Sequence, residues 1–429
     1  METKKLYDEY LITSMVAGFD PVEVDHATGT RIFAKDGKEY LDCFAGISVV
    51  NAGHCHPKIV KAAKEQMDKF IHCCTYVYYN PIAGKLAKRL AEVTPGKLKK
   101  TFFSNSGAEA IEGAMRLSKH FTGKNEFIAL TQSFHGRTYA TLSITGNSGR
   151  KLSAGPYMPG VVFAPAPHFY RCPFNSKSEE ECGERAALAL KDIIKYHTSN
   201  NVAAYIAEPV MGEGGIIVPP SNYFKIVKQI LEDNKILMIA DEVQSGFGRT
   251  GKLFAIEHYG VEPDIMCMAK GIAAGFPLGA FIAKPEIGDS FTPGSHLSTF
   301  GGSPISCAAA VANLEVFEEE KLCQNAEKRG AFIMGKLKEL EGELKLVGNV
   351  RGKGLMIGIE LVKDSNKTPA VDETKAVKAK CREHGMLVGL GGSLANLIRL
   401  QPPLTITEDD ANRTVKTLST VLREVNKTI

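Results

Sequence analysis

The chain has 429 residues, 44% of them hydrophobic, which is enough for more than one packed domain. Its 52 lysines and arginines against 48 aspartates and glutamates leave only a small, dispersed basic excess, so the balance points to small-molecule partners, with no nucleic acid and no membrane surface. Ten cysteines without framework spacing, and an amino terminus METKKLYDEYLITSMV that is charged throughout, argue against a secreted disulfide protein and for a soluble, cytoplasmic one.

In chain order, residues from Asp20 to Asn51 read as short strands and turns. His54 and His56 flank Cys55 in GHCHPK, but no third and fourth ligand stands at a sensible spacing; a turn ahead of the helix IVKAAKEQM is expected, and no metal. From about Lys58, amphipathic patterns alternate with the apolar runs KTFFSN, EFIALT, GVVFAP, AAYIAEP, ILMIADE, PDIMCMAK and GAFIAK. Runs apolar on both faces and separated by helices predict an α/β fold, a large domain with a mainly parallel sheet sandwiched by helices. Ligands of such sheets bind beyond the carboxyl ends of the strands. The uncharged stretch from Leu152 to Tyr170 is broken by Pro156, Pro159, Pro165 and Pro167 and cannot span a membrane as a helix. RCPFNSKSEEECGER reads as a polar surface excursion, with Cys172 and Cys182 as ordinary thiols. From Ala310 to Glu343 the pattern is one of long charged helices, followed by a strand pair in VRGKGLMIGIELV, another helix, and a capped terminal helix after Thr407. The expected division is an N-terminal segment 1–57 joining a small domain, a large domain 58–309 that binds the cofactor, and a C-terminal small α+β domain 310–429.

Two constellations point to chemistry. Asp241 and Glu242 end the run ILMIA and Lys270 ends IMCMA, so opposite charges arrive at the ligand edge of the sheet, a pattern that a strand-end salt bridge would also give. Ser106 in SNSGAEAIEGAMRLSKHF is an N-cap with Glu109 three residues on, while Gly107 and Ala108 leave the helix amides uncovered for a phosphate. Together these parts meet the needs of pyridoxal 5′-phosphate. A lysine amine forms a Schiff base with its aldehyde, a carboxylate keeps its pyridine nitrogen protonated, and helix amides hold its phosphate. Phe134 in TQSFHGRT stands where an aromatic cover for the ring is needed, although core packing would account for it equally well. GFGRTG, from Gly246 to Gly251, formally matches a dinucleotide fingerprint, but DEVQS separates it from its strand and would set two carboxylates against a pyrophosphate.

The blocks YLDCFAGISVVNAGHCHPKIV, NSGAEA, FHGRT, AEPVMGEGG, ADEVQSGFGRTGKLFA, PDIMCMAKGIAAGFPLGA, STFGGSP and IRLQPPLTIT resemble the class III pyridoxal-phosphate aminotransferases of fold type I, most closely the 4-aminobutyrate aminotransferases. The resemblance implies Lys270 as the Schiff-base lysine and Asp241 as partner of the pyridine nitrogen. It also implies Val243 on the ring face opposite Phe134, Gln244 near the phenolic oxygen, phosphate contacts at Ser106, Gly107 and Ala108, and Thr299 reaching the cofactor of the other subunit of a homodimer. Many relatives carry Ser or Thr where Ala108 stands, so contact there is through the backbone.

For substrate, the resemblance implies Arg137 for the carboxylate distant from the reacting amine, Arg399 for the α-carboxylate of glutamate, and Glu213 to neutralise Arg399 when the donor lacks that group. Ile47 stands where ornithine aminotransferases carry a tyrosine; it reads either as a site for a donor with nothing at that end or as plain pocket wall. Glu208 is expected near the substrate and Tyr79 along the pocket. The implied reaction moves the amino group of an ω-amino acid, 4-aminobutyrate first, to 2-oxoglutarate by a ping-pong route. Ornithine, acetylornithine, β-alanine, 2-aminoadipate or racemisation stand as alternatives on the same scaffold, and pairing of dimers into tetramers stays open.

Overall fold

In the computed structural model, which describes residues 2–12 and 19–427, all seven apolar runs are strands of one sheet. Their order is Lys100–Ser104, Gly279–Ala283, Ile265–Met268, Leu237–Asp241, Val202–Ala207, Glu126–Leu130 and Val161–Ala164. The last five are mutually parallel, while Gly279–Ala283 runs antiparallel to both its neighbours. Every residue of Val202–Ala207 and Ile265–Met268 is buried, which is why these runs show no polar alternation.

The pleat sorts their side chains into two cores. Ile265, Cys267 and Phe281 pack with Ala110, Ile111 and Ala114 of helix Gly107–Thr122. Met266, Met268 and Ile282 belong to the opposite core, with Leu190 of helix Glu179–His197 and Val227 of helix Tyr223–Asp233. The sheet is thus covered on both faces by helices, the mixed α/β arrangement expected.

Two four-stranded sheets complete the molecule. Val24–Thr28, Arg31–Ala34 and Glu39–Asp42 form an antiparallel ribbon whose last strand pairs in parallel with Met386–Leu387, joining the two ends of the chain. Val347–Lys353, Met356–Leu361, Leu397–Leu400 and Gly389–Gly391 make an antiparallel sheet that carries Arg399.

Two expectations from the sequence need correction. The segment read as long charged helices begins with Pro304–Glu319, which is buried on nearly all sides, and breaks at Lys321, whose φ of 53° starts the next helix, Leu322–Lys338. Its glutamates are confined to one end, where Glu315 and Glu319 meet Lys58 and Glu318 meets Arg89. RCPFNSKSEEECGER is a surface excursion only in its first half. Ser178 caps helix Glu179–His197 by accepting from Glu181 N at 3.1 Å, three glutamates occupy the positive first turn, and Cys182 faces the core. Cys172 and Cys182 are free thiols. His54 and His56 bond Asp42 at 2.7 Å and Glu320 at 2.8 Å. Among the described residues, no helix is long and apolar enough to cross a membrane.

GFGRTG opens no helix; it is a buried turn organised around Arg249, the largest fully buried side chain. Its guanidinium donates to Leu355 O at 3.1 Å, Pro402 O at 2.5 Å and Asn51 Oδ1 at 2.5 Å, tying the amino-terminal segment and both flanks of the antiparallel sheet to the turn after Asp241. Removing it leaves those acceptors unpaired around a void. Arg249→Ala should therefore lose about 3–5 kcal/mol of stability, read as a lowered denaturant midpoint against the unaltered protein.

Candidate active site

A cavity of about 320 Å³ opens at the carboxyl ends of five strands. The chain supplies Asn105, Ser106, Gly107 and Ala108 after the first of these strands in sequence, Phe134, His135 and Gly136 after the second, Glu208 after the third, Asp241, Val243 and Gln244 at the fourth, and Ala269 and Lys270 at the fifth. Phe276, Pro277 and Leu278 lead into the antiparallel strand from the same edge.

Asp241 and Lys270 come from adjacent parallel strands, with Asp241 paired in register to Cys267, three residues before the lysine. They line one cavity, yet no ion pair joins them among the described residues, because both Asp241 oxygens are otherwise engaged. Oδ1 accepts from Val243 N at 3.0 Å and Oδ2 meets His135 Nδ1 at 2.7 Å. Glu242, expected beside Asp241 at the ligand edge, instead points into the core, as strand alternation dictates. Ser245 Oγ and Ile256 N donate to it at 2.6 and 2.7 Å, and burial pushes its pKa up to about 7. Lys270 keeps part of its surface open to the cavity and is otherwise enclosed by protein. Burial draws its pKa down, against the opposing pull of Asp241 and Glu208. Its φ of 45° is a left-handed conformation rare for a lysine, held in place by Asn313 Nδ2, which donates to Gly271 O and Ile272 O at 2.9 and 3.0 Å.

The helix Gly107–Thr122 aims its amino end into the same space. Ser106 Oγ accepts from Glu109 N at 3.3 Å, and Glu109 reaches back to Asn105 N at 3.0 Å, one residue earlier than a regular capping box. Helix geometry leaves the N–H groups of Gly107 and Ala108 without intrahelical acceptors. A Cβ on Gly107 would lie 2.8 Å from Val243 Cγ1, so only glycine lets the amide approach this wall. Phe134 is half-buried on the cavity wall, and its N–H donates to Glu208 Oε1 at 2.9 Å. Gln244 Oε1 accepts from Gln401 Nε2 at 3.0 Å.

On the far wall Glu213 Oε2 accepts from Arg399 Nη1 at 3.1 Å, and the Arg399 guanidinium lies 5.2 Å from the Phe44 ring centre. Burial draws the Arg399 pKa down while Glu213 opposes the shift. Five expected residues stand outside the cavity lining: Ile47, Tyr79, Arg137, Thr299 and Arg399, the last joined to the lining through Glu213. Ile47 is 41% exposed at a kinked turn with φ 70°, and Arg137 and Thr299 are exposed. Tyr79 is fully exposed as well.

His135 is a further site residue: it stands between Phe134 and Gly136 in FHGRT, and that adjacency is its one signal in the sequence, since its contact with Asp241 spans 106 residues. Its Nε2 is buried and finds no hydrogen-bond partner among the described residues. Another is Arg150, which no motif announces and which bonds Glu213 Oε1 through both Nε, at 3.1 Å, and Nη2.

These features coincide with what a search among known proteins finds. The model of aminotransferase class III matches residues 15–422. The chain belongs to the class III aminotransferases. It is 40% identical to an alanine–glyoxylate aminotransferase 2 homologue of Arabidopsis thaliana, over 96% of this chain and 85% of that one. It is 40% identical to an acetylornithine aminotransferase of Methanothermobacter thermautotrophicus (94% and 95%), and 37% identical to a probable 4-aminobutyrate aminotransferase of Bacillus subtilis (92% and 91%). Among solved structures, the ω-transaminase of Pseudomonas jessenii in complex with pyridoxamine phosphate superposes with a TM-score of 0.94 at 28% identity, covering 99% of this chain and 98% of that one. The cofactor of the family is pyridoxal 5′-phosphate. The donor set fits it: a lysine of lowered basicity, a fixed carboxylate and a bare helix amino end share one cavity.

Glu208 provides a test of the cavity electrostatics. Burial pushes its carboxyl up to about 7 from a usual 4.5, with Asp241 adding to the rise and His135, Gly212 N and Phe134 N opposing it. Between those two values the unfolded chain releases a proton that the folded chain keeps, so stability falls as pH rises through the window. In cofactor-stripped protein, the difference between the unaltered chain and Glu208→Gln should move against the unaltered chain from pH 4 to pH 8, by upward of about 1 kcal/mol. Paired denaturant titrations at the two pH values measure it.

Proposed function

We propose that the protein transfers the amino group of an ω-amino acid, 4-aminobutyrate first, to 2-oxoglutarate, giving succinate semialdehyde and glutamate. The observation that carries this reading is the Glu213–Arg399 ion pair, in which Glu213 lines the cavity and Arg399 lies behind it. A donor with no α-carboxylate meets a guanidinium already neutralised, whereas glutamate or 2-oxoglutarate displaces Glu213 and takes Arg399 for itself. One pocket then accepts both substrates of a ping-pong cycle without a buried, unpaired guanidinium in either half.

Pyridoxal 5′-phosphate supplies the aldehyde that takes up the amino group and the ring that accepts electrons. Lys270 would be its covalent attachment point; once the donor's amine displaces it, the freed Nζ would take the proton from the amine-bearing carbon and later return it. Asp241 presents the negative charge for the ring nitrogen, and His135 fixes its orientation through the 2.7 Å bond to Oδ2. Gly107 and Ala108 would offer backbone N–H groups to the phosphate beside Ser106, Phe134 and Val243 would cover the ring, and Gln244 would approach its phenolic oxygen. Glu208 and Ile47 border the substrate, and Arg137 holds the carboxylate distant from the amine.

Thr299 would reach the phosphate of the cofactor in a second copy of the chain. A homodimer is supported by exposed apolar side chains: the Phe300 ring lies 5.3 Å from His72, Leu297 and Phe300 are exposed, and so are Ile71, Val77, Tyr78 and Tyr79 in the segment that carries His72. The strand joining the two chain ends supports reading 1–57 with 310–429 as one small domain beside 58–309.

The acetylornithine relative at 40% identity favours a second reading, in which the donor itself carries an α-carboxylate and needs Arg399 free. Single amines added to the yellow enzyme distinguish the two. 4-Aminobutyrate should convert it to the pyridoxamine form and 2-oxoglutarate should restore it; conversion by acetylornithine alone would select the second reading. Lys270→Ala should lose turnover by about ten-thousand-fold or more and release cofactor on dialysis, which absorbance of the dialysed protein records.

A further inference from the structure

Glu213 is held by two arginines. Its Oε2 faces Arg399, whose side chain is 5% exposed, and its Oε1 faces Arg150, whose side chain is 48% exposed, while Glu213 itself is 14% exposed. Exchange at Arg399 involves one of these two partners only. A carboxylate that leaves Arg399 must still go somewhere, and in a largely buried position it cannot be left without a cation or water.

The backbone holds Arg150 in place for this purpose. It ends the short turn Ser148–Arg150, and Arg150 N donates to Asn147 O at 3.1 Å. Asn147, only 6% exposed, donates from its backbone to Ser133 O at 3.0 Å and accepts from Gly149 N at 3.2 Å, so the turn is fastened to the residue just before Phe134. Gly146 lets the loop close this tightly: a Cβ there would lie 2.0 Å from Leu130 O. The loop of Glu213 is equally fixed, since Gly392 N donates to Glu213 O at 3.1 Å and Arg351 Nη2 to Gly215 O at 2.7 Å. With both loops anchored, the carboxylate of Glu213 lies between two guanidinium groups, one 5% and one 48% exposed, and can redistribute between them.

We propose that Arg150 is a positioning residue for substrate selection: it is the seat to which Glu213 retires when a second carboxylate claims Arg399. This rests on the reading of Glu213 and Arg399 given under the proposed function and adds to it. Arg150 already bonds Glu213 through two nitrogens, so a small rotation of the carboxylate releases Arg399 without stranding either charge. Arg150 therefore favours the open state of the pocket and raises its affinity for dicarboxylates. It leaves monocarboxylates unaffected, because they bind with Glu213 still on Arg399.

The test uses two unreactive probes on the holoenzyme, glutarate with two carboxylates and butyrate with one, and measures Kd by calorimetry. Arg150→Gln should weaken glutarate by about three- to ten-fold and leave butyrate within about two-fold, while Arg150→Lys, which keeps the charge, should recover most of the loss. Glu213→Gln should tighten glutarate, and in that background Arg150→Gln should change nothing, since no carboxylate remains to be seated. If Arg150→Gln weakens glutarate equally in both backgrounds, Arg150 binds the ligand or supports the loop and the inference is overturned. If Glu213→Gln tightens glutarate while Arg150→Gln has no effect, the inference fails and the Glu213–Arg399 exchange stands. If Glu213→Gln leaves glutarate unmoved, the exchange itself falls and the role of Arg150 with it.

Discussion

A carboxylate confined at the end of a buried strand is the constraint from which the site follows. Asp241 is only 3% exposed, and an ionised aspartate so placed must be compensated by hydrogen bonds. Val243 N, two residues on, and His135, from a different strand end, supply that compensation. Because both partners approach from the protein side, the carboxylate is pinned in direction as well as position, and Lys270 on the neighbouring strand is left without a direct salt bridge to it. The two opposite charges are kept apart across a shared space instead of collapsing on each other, and that separation gives a cofactor room between them.

The same economy governs the far wall, where the cost of enclosing Arg399 is met by a movable partner. Asp241 is held by a neighbour in sequence and by a tightly packed histidine, whereas Glu213 sits on a loop between two arginines that differ greatly in exposure. One buried charge is fixed and the other exchangeable. That contrast suits a pocket in which the cofactor stays and successive substrates differ at one end.

Much of this was legible in the sequence for a definite reason. Apolar runs separated by amphipathic helices read as strands of a covered sheet, though Lys100–Ser104 and Val161–Ala164 lie at its edges, and their carboxyl ends name the ligand edge, which sets Asp241, Lys270, Phe134 and the helix at Gly107 together. What stayed hidden depends on where side chains turn. Glu242 follows Asp241 directly, but alternation sends it inward to Ser245 and Ile256. His135 is bracketed by residues that were singled out, yet its contact spans 106 residues. Arg150 and Arg249 carry no motif at all; a surface turn and a glycine-rich stretch became, respectively, a second partner for Glu213 and the most enclosed cation in the molecule. Ile47, Arg137 and Thr299 rested on resemblance alone, and a single chain leaves all three outside its own cavity.

The antiparallel course of Gly279–Ala283 matters for Lys270 in a further way. Parallel neighbours need a long crossover across one face of the sheet, but a reversed strand can be entered from the edge where the previous one stopped. The segment from Lys270 to Leu278 is therefore a tight return, clamped by a strand on either side and by Asn313 below, and its backbone has little scope to drift. Whatever reach the amine has during a turnover must come from the four methylenes of its own side chain, a flexible arm mounted on a stiff corner.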